Sequence, residues 1–142
     1  MAIKGAGFIS NKLLNSNMTL DVAYTLYLIL ASTPEIPKDQ IKRFVQKWFV
    51  LSTLTSRYTA SPESQMHRDM QSIEEKGFLN FFAEIEASAL SESFWRVTLP
   101  QNLEISSVNS PGFRVFLAAQ VYCHSDSLFM NGMEVRDLLL IA

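Results

Sequence analysis

The residues best placed to do chemistry fall in one short stretch, KWFVLSTLTSRYTASPESQMHRD (47–69), which holds Arg57, Tyr58, His67 and Asp69. Met66, Met70 and Ile73 recur at i, i+4 and i+7, the period of a buried helical stripe. Asp69 falls inside that stripe. A carboxylate there loses water, at a cost that only a partner can offset. Arg57 precedes the same helix by a few residues and can fold back onto its first turns. A planar guanidinium can meet a carboxylate with two parallel hydrogen bonds. The spacing therefore predicts a clamp between Arg57 and Asp69 across a turn, with Tyr58 packed beside it. Two other uses of Arg57 stay open at this level: holding an anion or phosphate, or standing in solvent.

Other chemistries find less support. A metal site needs several converging His, Cys or acidic ligands, whereas His67 and His124 are far apart and Cys123-His124 is one adjacent pair. Neighbours on a helix point about 100° apart, so that pair does not form a nucleophile with its base, and no third group orients it. Neither GxxxxGK[ST] nor GxGxxG occurs. Glu74-Glu75 reads as a solvated face. The expectation is a segment with no catalytic residue, no metal and no cofactor.

One face is basic: Lys38, Lys42, Arg43 and Lys47, with Asp39 the only acid among them. Such a face can lie in solvent, touch nucleic-acid phosphates, or dock an acidic partner. From Glu74 to Glu104 six acids stand against two bases, so the chain is dipolar.

The elements that must position these groups read as helices. Asn15-Ser16-Asn17 is a cluster of capping residues before Leu20–Ala31, a segment apolar nearly all round and so expected as a central, buried helix. Pro34 and Pro37 punctuate its exit. Ile41, Phe44, Val45, Trp48, Phe49 and Ser52 then follow the clearest helical period in the chain, with Leu51, Leu54 and Tyr58 as a second apolar line. Ser61-Pro62-Glu63 reads as a helix start with a hydroxyl N-cap and proline in the first turn. Gly77 separates this helix from one burying Phe78, Phe81, Phe82, Ile85 and Ala89. From Ser91 to Asn109 the period fades into an expected loop with one short element around Phe94-Trp95. Ser110-Pro111 starts a further helix, Gly112 to about Tyr122, expected to bury Phe113, Phe116, Leu117 and Val121. Asn131-Gly132 suggests a small hairpin near the C-terminus. The fold class expected is all-α: an irregular bundle of five to six helices in a single domain over 1–142.

Composition bounds the rest. At 142 residues, 48% hydrophobic and 11% aromatic, the chain can bury a core. Only 18% is charged, against about 25% in soluble domains, which permits an apolar interface with a neighbour, a second copy included. A net charge of −2 gives no global attraction to nucleic acid or anionic lipid. The single cysteine excludes an internal disulfide framework and suits a reducing cytoplasm. No apolar run reaches the roughly 20 residues of a membrane span. The apolar ending LLLIA suggests a piece of a longer protein.

The 47–69 stretch resembles a segment of the bacterial family that includes GmrSD-type, modification-dependent restriction proteins. The matching residues are Trp48, Phe49, Ser52, Arg57, Tyr58, Ser61, Ser64 and Asp69. GFRVFLAAQVYCHSDSLFMNG, followed by EVRDLLLIA, resembles the stretch that in such proteins leads into an HNH-type nuclease domain. The resemblance spans roughly Asp21 to the C-terminus. It implies a helical middle region between a ParB-like, nucleotide-hydrolysing N-terminal domain and the nuclease domain. The implied function is a non-catalytic connector in defence against foreign DNA, with flanking domains as partners. The alternative is a stand-alone helical module or regulator contacting DNA phosphates or an acidic protein through the Lys38–Lys47 face.

Overall fold

The structure is a computed structural model that describes residues 2–10, 13–14, 17–104, 107, 109–125, 127 and 132–141. Among the described residues it is all-α. Seven α-helices run in the order α1 (Asn17–Ala31), α2 (Lys38–Leu54), α3 (Pro62–Lys76), α4 (Phe78–Ala89), α5 (Leu99–Glu104), α6 (Pro111–Tyr122) and α7 (Val135–Ile141). A 3-10 helix, Ala2–Ala6, precedes them, and one π-helical turn, Phe94–Thr98, leads into α5.

α2 organises the molecule because its apolar residues face three ways. Ile41, Val45, Trp48, Phe49 and Ser52 are all buried, as their period requires, and Leu51, Leu54 and Tyr58 bury the second line. α1 packs along one side, the 3-10 helix and α6 along another. On the third side Trp48 lies 5.2 Å from the Phe81 ring and Phe44 lies 5.5 Å from Phe78, which draws α4 onto α2. Phe49 packs edge-on against Phe8 at 4.8 Å, and Gln46 Nε2 donates to the Ala2 carbonyl at 2.7 Å, so the N-terminal segment is fixed to the same helix. Gly7 is required here. Its φ is +93°, and a Cβ would sit 1.9 Å from the carbonyl oxygen of Ala118 in α6.

Two helices end the same way. At the end of α2, Ser56 N–H donates to the Thr53 carbonyl and Arg57 N–H to that of Ser52, with Ser56 at φ 54°. At the end of α6, His124 N–H donates to Val121 and Ser125 N–H to Gln120, with His124 at φ 53°. Each is the paired closure of a helix C-terminus through one left-handed residue, a position that glycine usually takes. Cys123-His124 is thus a helix terminator by its backbone geometry.

Several expectations need correction. α1 is not buried all round: Tyr24 is 66% exposed, with Tyr27 and Leu28 also open to solvent. Residues 92–104 are helical rather than a loop: the π-helical turn Phe94–Thr98, closed by Leu99 N–H donating to the Phe94 carbonyl, runs straight into α5 and carries the helix past Pro100, which has no N–H to give. In α6, Phe116 is exposed, and the buried positions are the small Gly112 and Ala118 together with Val121. Leu99 and Leu103 of α5 lie against Gly112 at ordinary contact distance. No strand occurs among the described residues, so the hairpin expected near Asn131-Gly132 is not found. Glu134 makes one isolated bridge and the chain enters α7 directly afterwards. Asn131 itself, like Asn15 and Ser16 of the capping cluster, lies outside the described residues.

Candidate functional site

The end of α2 places Arg57 back over the first turns of α3. Its Nε donates to Asp69 Oδ2 at 2.8 Å and its Nη2 to Oδ1 at 2.6 Å, the two-pronged geometry expected of guanidinium and carboxylate. Tyr58 O–H donates to Oδ2 at 2.6 Å, and Gln65 Nε2 donates to Oδ1 at 2.8 Å. Asp69 is 1% exposed, so four donors stand where water would otherwise be. The guanidinium also lies 5.5 Å from the centre of the Trp48 ring, within cation–π range.

The electrostatics follow from that closure. Burial alone would lower the Arg57 pKa, but hydrogen bonding and attraction from Asp69 outweigh it and hold the guanidinium charged. Burial pushes the Tyr58 phenol well above its ordinary range, and its hydrogen bond to the Asp69 carboxylate and that charge push it further. Tyr58 therefore stays a neutral donor. Each Asp69 carboxylate oxygen accepts two of these hydrogen bonds.

Of the residues singled out in sequence, Trp48, Arg57, Tyr58 and Asp69 meet at one point. Ser52 joins them through its carbonyl, which caps the Arg57 N–H at 3.0 Å, while its hydroxyl is buried without a partner among the described residues. Phe49 faces Phe8 instead. Ser61 occupies the N-cap of α3, but its side chain makes no capping bond. Sequence reasoning missed Gln65 as the fourth donor. Its signal was available, since Gln65 and Asp69 are four apart on one helix face.

The basic residues do not form one stripe. Lys38, Lys42, Arg43 and Lys47 are all exposed and make no ion pair among the described residues. At about 100° per residue, Lys38 and Lys42 point roughly 140° away from Arg43 and Lys47. Arg43 and Lys47 line a small cleft of about 380 Å³ with Asp39 and Phe44.

Lys38 and Lys42 border something larger, a half-open groove of about 1010 Å³. Its floor is Ala23, Ile41 and Val45. Leu20, Tyr24 and Tyr27 of α1 form one bank, and Ala2 and Ile3 of the 3-10 helix line it as well. Asp21 lies toward the start of α1 and Lys38 toward its far end. No group of three or more His, Cys, Asp or Glu side chains able to hold a metal occurs among the described residues, and no helix there is long and apolar enough to cross a membrane. Compared with protein-family models, curated proteins and solved structures, the chain matches none of them.

Proposed function

We propose that the chain is a non-catalytic helical connector and interaction domain of a DNA-modification-dependent nuclease, acting in defence against foreign DNA through domains joined to it. The observation that supports this reading most is the outward apolar face of α1 beside an open groove, since a helix apolar on all sides ordinarily has every side covered. The 47–69 resemblance supplies the kind of machine. The corner fits a scaffolding part in it, because Arg57, Tyr58, Gln65 and Asp69 use their polar groups on one another.

The test is an assay of the purified chain with nucleoside triphosphates and with modified and unmodified DNA. No turnover and no cleavage are expected. Hydrolysis or cutting by the purified chain would overturn the reading.

A second reading, a stand-alone module contacting DNA phosphates, draws support from the four cations of α2, which make no ion pair among the described residues. Because they diverge in two pairs, no more than two can follow one phosphate run. Binding to duplex DNA would then weaken with salt at a log–log slope near −2, against nearly −4 for a continuous stripe.

A further inference from the structure

We propose that the groove between α1, α2 and the 3-10 helix is a binding site for a free medium-chain carboxylate, with its head between Lys38 and Lys42 and its chain along the apolar floor. The proposal goes beyond the connector reading and does not depend on it.

The groove is apolar at one end and cationic at the other. Only residues 32–37 join α1 to α2, so Ala31 and Lys38 lie at the same end of an antiparallel pair. Counting along both helices from there sets Val45 level with Tyr24. At that level three elements line the groove: α2 with Val45, α1 with Ala23, and the 3-10 helix with Ala2 and Ile3. The hydrogen bond from Gln46 to the Ala2 carbonyl holds the 3-10 helix in that place. Asp21 borders the same end, but at about 100° per residue it stands on the outer flank of α1, away from Ala23.

At the other end the lining is Ala31, Lys38 and Lys42. The two lysines are one turn apart on the same side of α2, with about 6 Å between their Cβ atoms. Both are exposed, and neither has an ion-pair partner among the described residues. The end of the Lys42 side chain runs beside Gly5 of the 3-10 helix, on the bank facing α1.

Charge decides the class of ligand. A cation is repelled by both lysines, and a neutral hydrocarbon leaves them unused. A small polar anion gains nothing from the floor of Ala23, Ile41 and Val45. An amphipathic anion matches both ends. Length sets its size: from a head midway between Lys38 and Lys42 to the level of Leu20 is about 14 Å, the reach of an acyl chain of about ten carbons. The groove volume of about 1010 Å³ stands at the top of the roughly 300–1,000 Å³ range of small-molecule sites.

Isothermal titration calorimetry of the full chain with decanoate, kept below the concentration at which it aggregates, tests this. One-to-one binding is expected, with a Kd on the order of 10–100 μM. Each buried methylene is worth up to about fourfold, so hexanoate, four methylenes shorter, should bind at least about tenfold more weakly. Each exposed charge pair contributes up to about fivefold, and reversal turns attraction into repulsion, so Lys38→Glu with Lys42→Glu should weaken decanoate binding roughly tenfold or more. The same variant should bind decanol as wild type does. Both lysines are exposed, and an unchanged melting curve would show that the variant folds. No one-to-one binding of decanoate, an affinity that ignores chain length, or one that survives the charge reversal would overturn the proposal. So would binding to phosphatidylglycerol vesicles without binding to the free acid. A chain that binds no decanoate and shows no enzymatic activity would end the ligand site and leave the connector reading standing; one that binds decanoate and cuts DNA would do the reverse.

Discussion

Arg57→Ala is the most informative single change. It removes both charge-assisted hydrogen bonds to Asp69 and the cation over Trp48, while Asp69 keeps only two neutral donors, Tyr58 and Gln65. The carboxylate is 2% exposed, so water cannot replace the guanidinium without opening the corner. Breaking a buried pair from one side costs about 3–5 kcal/mol. Whole-domain stabilities run at about 5–15 kcal/mol, so the variant gives up a large share of the total. For a chain of this size each kcal/mol moves the midpoint by roughly 3–5 °C, and the melting temperature should fall by about 10–20 °C. Thermal unfolding followed by circular dichroism measures it, with urea unfolding giving the free energy independently. Arg57→Lys should be intermediate, since an ammonium keeps the charge and loses the two-pronged fit. A loss below about 1 kcal/mol for Arg57→Ala would refute the reasoning, because only solvated pairs behave so.

Tyr58→Phe should cost about 1–2 kcal/mol at neutral pH by taking one donor from the buried carboxylate. The folded-state pKa of Tyr58 is raised, so the stability it confers is complete below the ordinary tyrosine value of 10.0 and declines as pH rises above it, by roughly tenfold in the folding constant per unit; urea unfolding at pH 9 and 11 should show wild type losing ground that Tyr58→Phe does not lose. Ser56→Gly should stabilise by about 0.5–1 kcal/mol, because Ser56 holds φ 54° to close α2 and glycine accepts that conformation without a Cβ clash. Ser110→Ala should cost about 1 kcal/mol, since the Ser110 hydroxyl accepts from Phe113 N–H, whereas Ser61→Ala should be nearly silent in the same melting assay because Ser61 makes no such bond.

Sequence made the corner legible because its signal is local. An acid inside an apolar helical stripe demands a cation, and Arg57 is the nearest one that the chain can fold back. The helices were legible for the same reason: the Ile41-to-Ser52 period names its own buried face. What was not legible depends on neighbours distant in the chain. Leu20–Ala31 reads as core because apolar periodicity cannot tell a face covered within the chain from one awaiting cover. Phe116 looks like core by type, yet it is exposed, and Gly112, Ala118 and Val121 are the buried positions of α6. Ser61 has the right residue type for a cap, but with φ −142° and ψ 71° its hydroxyl makes no capping bond. The four cations of α2 look like one patch in a line of letters and become two once wound on a helix.

The account turns on Arg57 and Asp69 being bound to each other and to no ligand, and a double-mutant cycle measures that directly. Arg57→Met, Asp69→Leu and the double variant, unfolded in urea without added anions, metals or nucleic acid, should give a coupling of about 2–3 kcal/mol, with the double variant more stable than either single one. Additive losses, with coupling inside about 0.5 kcal/mol, would contradict it.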